Sequence, residues 1–195
     1  MLLGNLFSNR AKIYCHDMNT PHPREYLTLP TGTDENFSYT SGGQDESQGR
    51  VSYSKVRLDV HEMHLFPLDW TFADDSAFYS GSSDMFVPML GKAGNCGSLE
   101  DLGKTKINFS GTGFEVPRYI RWVGFGYGGH NTSAGVSRQV VYLECRGGCG
   151  GCIPQAPDAR GSYAMQPRTY FSLDYSERVM PVEYDSSLDP NPCAF

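Results

Sequence analysis

The sequence lacks a run of about 18 apolar residues, the length a membrane-spanning helix needs, so no membrane span is expected. It also lacks basic charge. The net charge is −6, and no Lys/Arg stripe is present to neutralise phosphates, which excludes a nucleic-acid partner. No segment keeps the 3.6-residue apolar period of an amphipathic helix, and no internal repeat of fixed period is found. Apolar residues are scarce at 39%, but Tyr (12) and Phe (11) are plentiful, so a core can form and much of it will be aromatic. The opening MLLGNLF is too short and too polar for the apolar core of a signal peptide. Either the chain is a piece of a longer precursor or it is not secreted, and the cysteines bear on that choice.

What the chain does have is punctuation. With 22 Gly and 12 Pro it reads as many short elements joined by turns. RAKIYCHDM (10–18) predicts a strand carrying Cys15, and REYLTLP (24–30) a strand ending at Pro30. Residues 31–50 are polar and read as a surface loop. RVSYSKVRLDVHEMHLF (50–66) is the longest period-two run, with Val56, Leu58 and Val60 on one face and Arg57, Asp59 and His61 on the other. DMFVPML (84–90) is a short apolar strand. KTKINFSGTGFEV (104–116) predicts two strands around a Gly-Thr-Gly turn, and SRQVVYLEC (137–145) a strand that delivers Cys145. The fold class that follows is all-β: a twisted-sheet or sandwich-like module with few or no helices. It occupies residues 1–155. Residues 156–195, with six acids against three arginines, form a C-terminal tail in which RTYFSLDY (168–175) reads as one strand.

The most specific feature is CRGGCGGC, Cys145 to Cys152. Its C-x3-C-x2-C spacing matches an iron–sulfur loop, but that loop belongs to a large β/α barrel for which this short β-rich chain has no room. A structural zinc needs four ligands. Only one C-x2-C pair exists here, so Cys15, Cys96 or a histidine would have to complete the set. A thioredoxin-like pair needs a βαβ setting, which is absent. Disulfides remain, and two observations favour them. Six cysteines is an even number: three are clustered, and three (Cys15, Cys96, Cys193) are distant. Three glycosylation sequons, at Asn36, Asn108 and Asn131, point to an oxidising compartment. Asn36, beside the polar loop, and Asn131, after a Gly-rich turn, are expected to be exposed. A Cys149–Cys152 bridge would close a very small ring. Each of Cys145, Cys149 and Cys152 is therefore expected to reach one of the three distant cysteines.

Other motifs fail on their spacing. HEMHL (61–65) resembles the zincin H-E-x-x-H, but Leu65 stands where the second histidine must be, and the segment reads as a strand. GTG (111–113) and GFGYGG (124–129) lack both the following Lys-Ser/Thr and the helix of a phosphate loop, so they read as turns. The acid pairs Asp74-Asp75 and Glu100-Asp101 read as solvated loops rather than calcium sites. No metal site, cofactor or catalytic residue is expected.

AKIYCHDM…PREYLTLP…ENFS (11–38), YSKVRLDV (53–60), LGKAGNC (90–96), INFSGTGF (107–114) and CRGGCGGCIP (145–154) occur in that order. Together they resemble the GON domain, the C-terminal module of some ADAMTS-type secreted metalloproteases. The resemblance covers roughly residues 10–155. It implies a secreted, extracellular, disulfide-bonded glycoprotein module with no catalytic role, whose partners are proteins of the matrix, the cell surface or a larger secreted assembly. It also implies the alternative that the chain is the ancillary C-terminal domain of a zinc metalloprotease whose catalytic domain lies elsewhere. Two departures stand out. Family members carry a cysteine-rich loop where this chain has SGGQDESQGR (41–50), and a further cysteine where it has GSLEDLG (97–103). The family's bridge pattern is therefore not transferable whole. Cys193, outside the resemblance, is the candidate replacement for a lost partner.

Overall fold

A computed structural model describes residues 13–41, 49–59, 64–74, 89–96, 102–116, 121–155, 171–172 and 174–175. Sixteen short strands and one turn of 3-10 helix (Thr33–Glu35) account for the regular structure of these residues. The chain is all-β, as its turn-rich, helix-poor sequence predicts.

A five-stranded sheet is built from β1 (Ile13–His16), β2 (Arg24–Thr28), β5 (Lys55–Asp59), β6 (His64–Leu65) and β15 (Phe171–Ser172), in that order. A larger, curled nine-stranded sheet runs β11 (Arg121–Gly126), β14 (Gly148–Gln155), β8 (Ala93–Cys96), β3 (Phe37–Ser41), β9 (Gly103–Asn108), β13 (Val140–Arg146) and β12 (His130–Val136). β4 (Gly49–Tyr53) joins it by pairing with β3 and with β7 (Ala73–Asp74). β10 (Phe114–Glu115) and β16 (Asp174–Tyr175) form a separate pair. The 168–175 segment expected as one strand is thus two. Phe171–Ser172 continue the smaller sheet and Asp174–Tyr175 pair with β10.

Alternating sequence produces alternating burial. Along β5, Val56 and Leu58 are buried and Lys55, Arg57 and Asp59 are not; β9 and β13 repeat the pattern. Leu27, Val56, Leu58 and Leu65 of the smaller sheet meet Val51, Tyr53, Ile107 and Val141 of the larger one in a single core. Burying each such side chain contributes about 1.5–3 kcal/mol. Leu65 is fully buried there, so the position at which a zincin would need histidine is a core position.

Two expectations are corrected. The 50–66 run is not one strand. β4 and β5 lie in different sheets and are separated at Ser54, whose backbone N–H donates to Phe72 O and whose carbonyl accepts from Leu29 N. The buried parity flips there, from Val51 and Tyr53 to Val56 and Leu58. Within 31–50, Phe37–Ser41 is not surface loop but the interior strand β3, which bonds antiparallel to β4 and β9 and parallel to β8. Its polar residues are buried because they are hydrogen-bonded. Ser38 Oγ donates to Met89 O (2.8 Å), and Ser41 Oγ accepts from Asn95 Nδ2 (2.9 Å). The larger sheet forks where β8 and β9 converge, and the approach demands glycine. A Cβ on Gly103 would stand 2.1 Å from Gly94 O. Val60, His61 and most of 84–90 lie outside the described residues.

Candidate functional site

β13 brings Cys145 into the interior and β14 returns Cys152 beside it; the two are bonded, 5.9 Å apart at Cα. Both are buried, at 0% and 1% exposure, with Leu143 and Ala93, and Trp122 packs against them. Between them, Cys149 is lifted out of the ladder. The β14–β8 register shifts between Gly148 and Gly150, and Cys149 occupies that bulge with φ of 85°, a value side chains rarely adopt. Gly148 lies opposite Cys96, and Cys149 bonds Cys96. Cys15 is disulfide-bonded as well.

The expectation that every cluster cysteine reaches a distant one therefore holds for Cys149 and fails for Cys145 and Cys152. Those two are only 7 positions apart and face each other where β13 turns back into β14. The small Cys149–Cys152 ring is not formed. The sequence signal for the buried pair was present: Val141, Leu143 and Cys145 alternate into the core, so Cys145 had to point inward. Among the described residues no group of three or more His, Cys, Asp or Glu side chains converges as a metal site would require. Of the acid pairs, Asp75, Glu100 and Asp101 lie outside the described residues.

The sequons divide. Asn36, expected exposed, is fully buried. Its Nδ2 donates to Thr31 Oγ1 (2.8 Å) and Gly32 O (2.7 Å), and its Oδ1 accepts from Asn108 N (2.8 Å). The amide that a glycan would occupy is thus spent inside the fold. Asn108 is half-buried, with Nδ2 donating to Glu35 Oε2 (3.0 Å). Glu35 also accepts from Lys106 Nζ (2.5 Å), and these two hydrogen bonds, the Lys106 one first, hold its carboxyl below the usual range. Asn131 lies on β12 at a bulge, its backbone opposite Cys145.

A second constellation covers the outer face of the smaller sheet. Tyr14, Tyr26 and Arg57 stand in one row across β1, β2 and β5, with His16 opposite Arg24 and Thr28 opposite Lys55. The Phe72 ring stacks edge-on against Tyr26 (4.8 Å), His16 (5.1 Å) and Tyr14 (5.5 Å). Asp69 is the polar centre. It accepts from Tyr26 Oη (3.0 Å) and Thr71 N (3.0 Å), and lies 3.7 Å from Arg57 and 3.9 Å from Arg24. Arg24 also pairs with Asp17 (2.5 Å); that bond lowers the Asp17 pKa and raises that of Arg24. Burial pushes the Tyr26 phenol up. Sequence reasoning missed this face. Its signal was the i, i+2 spacing of Tyr14/His16, Arg24/Tyr26 and Lys55/Arg57, opposite the apolar positions Ile13, Leu27, Val56 and Leu58 of the same strands.

The fold and these sites define a disulfide-locked β-module that carries an aromatic and charged face on its smaller sheet. No helix among the described residues is long and apolar enough to cross a membrane. The chain belongs to the GON domain family, matching it over residues 4–45 and 40–160. It is 30% identical over 178 residues to the human protein "A disintegrin and metalloproteinase with thrombospondin motifs 20", and 29% identical over 171 residues to the Caenorhabditis elegans protein "A disintegrin and metalloproteinase with thrombospondin motifs gon-1". These matches cover 77% and 74% of this chain but span only 9% and 8% of those relatives. The mouse protein of the same name as the human one matches to the same extent, 30% over 178 residues. No solved structure matches the chain.

Proposed function

We propose that the chain is a non-catalytic docking module of an ADAMTS-type protein, working outside the cell in contacts with matrix or cell-surface partners. The observation that carries this reading is the family match across most of the chain, joined to a cysteine cluster committed to disulfides. Thiolates tied up in S–S bonds are not available as metal ligands, and such bonds persist in oxidising compartments. In this reading residues 1–155 form the module and 156–195 a C-terminal tail; Cys193 lies outside the described residues. Glycan on Asn108 or Asn131 belongs to the same reading.

The test is to express the chain behind a secretory leader in cultured cells that lay down matrix. Recovery of oxidised protein from the medium and matrix layer, inert towards peptide substrates, is expected. Peptidase activity in the purified chain, or stoichiometric zinc on reduced cysteines, would overturn the reading.

A further inference from the structure

Lys55 and Arg57 stand two residues apart on the same face of β5. The Lys55 ammonium lies 5.0 Å from the Tyr14 ring centroid and 5.2 Å from that of Phe72, and among the described residues no carboxylate stands within ion-pair distance of it. Arg57 rests on the Phe66 ring at 4.4 Å and approaches Asp69 only at 3.7 Å; its Nε is buried without a hydrogen-bond partner among the described residues. Tyr14 and Trp70 remain 42% and 38% exposed. Rings hold Lys55 and Arg57 in place and remove part of their water, while Lys55 has no counter-ion among the described residues. That arrangement attracts an anion.

The charge pattern selects the kind of anion. Arg24, Lys55 and Arg57 share this face with Asp17, Asp69 and, next along β5, Asp59, so the charges balance overall and the cation set apart from a carboxylate is Lys55. A dense polyanion or an acidic peptide would set its further negative charges against Asp17 and Asp69. A saccharide would not. Its hydroxyls donate to Asp17, whose side chain is partly exposed, its C–H groups lie on the exposed Tyr14 ring, and one carboxylate meets Lys55. We propose that this face binds an oligosaccharide bearing an isolated carboxylate. The proposal rests on the reading of the chain as an extracellular docking module and names its ligand.

Calorimetric titration of the full chain with a hyaluronan hexasaccharide, whose every second sugar is a glucuronate, tests it. A neutral N-acetylglucosamine hexamer and a Glu/Ala hexapeptide serve as comparisons. The glucuronate-bearing hexasaccharide should bind, with the neutral hexamer about 5-fold weaker, the worth of one exposed ion pair. Lys55→Met should bring the first down to the second, and Lys55→Arg should keep it. Tyr14→Ala should weaken both saccharides, with unchanged near-UV circular dichroism showing that the fold persists. Absence of saccharide binding, tighter binding of the hexapeptide, or a Lys55→Met variant as tight as the parent would each overturn the proposal. Retention on cell-laid matrix in the face of such a result would leave the module reading standing and remove only its ligand.

Discussion

The side chain of Asn36 and the backbone of Asn108, 72 positions apart, are joined by a 2.8 Å hydrogen bond. The bond ties the loop before β3 to the end of β9, and the Asn36 amide closes the same loop on Thr31 and Gly32. A buried donor or acceptor left without its partner costs about 1–3 kcal/mol. Asn36→Ala strands Asn108 N–H and vacates the space beside it. It is expected to lower stability by about 2–4 kcal/mol in urea unfolding. A loss below about 0.5 kcal/mol would show that water replaces the amide without penalty.

The same geometry reverses an expectation about modification. Peptide mapping of protein made in a eukaryotic secretory pathway should find Asn36 bare and glycan on Asn108, Asn131 or both. The three sites share the N-x-Ser/Thr pattern, yet the Asn36 nitrogen is fully buried and already donates two hydrogen bonds. Folded, monomeric protein carrying a glycan at Asn36 would contradict the fold around β3.

The two bridges of the cluster should differ in access and in effect. Cys145 and Cys152 are sealed in the interior, whereas Cys149 is exposed on its bulge. Limited reduction with alkylation should label Cys96 and Cys149 before Cys145 and Cys152. The bridges close loops with separations of 53 and 7 residues. In the chain-entropy model their removal costs about 4 and 2.5 kcal/mol respectively. Replacing Cys145 and Cys152 by Ala also opens a gap beside Leu143 and Trp122, so the measured loss there should exceed the entropic figure. Labelling in the reverse order would argue that β13 and β14 open more readily than the bulge.

How far the sequence determined this structure varies by element. Strands with strict alternation, such as Val140–Arg146 and Lys55–Asp59, were legible because a period of two leaves one face to bury. The Gly111–Gly113 turn was legible because both glycines need positive φ, 82° and 88°. β3 was not legible. Its serines, threonine and Asn36 look like loop until their partners on β8, β9 and the 31–32 turn are known, and those partners lie far along the chain. The break at Ser54 was hidden for a related reason. Either half alternates correctly on its own, and only the docking of Phe72 and Leu29 on Ser54 shows that they face different sheets. The pairing of Cys145 with Cys152 depended on the path from β13 to β14, two strands that pair with different neighbours, and glycine-rich sequence leaves that path open. The aromatic–cation face required the register of three strands.

Tyr53 is a position where the fold is imperfectly satisfied. The residue is 1% exposed and its hydroxyl makes no hydrogen bond of good geometry among the described residues, although Ser38 is beside it. Burial pushes its pKa well above the ordinary phenol value of 10.0. Tyr53→Phe removes the stranded oxygen and keeps the ring. It should be neutral or stabilise the protein by up to about 1 kcal/mol, against the loss usual for a core substitution. A loss above about 1 kcal/mol would show that the hydroxyl is paired in solution.

Acid should weaken the fold through Glu35 and Asp17. Lys106 and Asn108 depress the Glu35 pKa below its ordinary 4.5, and Arg24 depresses that of Asp17 below 3.8. Protons therefore bind the unfolded chain first as pH falls. The contribution of each pair is complete above the ordinary value and is lost as pH drops through the lower, folded one. Tyr142 works at the other end. Burial, and then its hydrogen bond to Glu144, raise its pKa from 10.0 to about 12, so its contribution is complete below 10.0 and fades as pH climbs through the folded value. Thermal unfolding in steps from about pH 6 to pH 2 should show Tm falling more gently for Glu35→Gln than for the parent. The amide cannot titrate but still accepts the Asn108 bond. Coincident slopes in the two proteins would mean that the Lys106–Glu35–Asn108 contact is not held in solution.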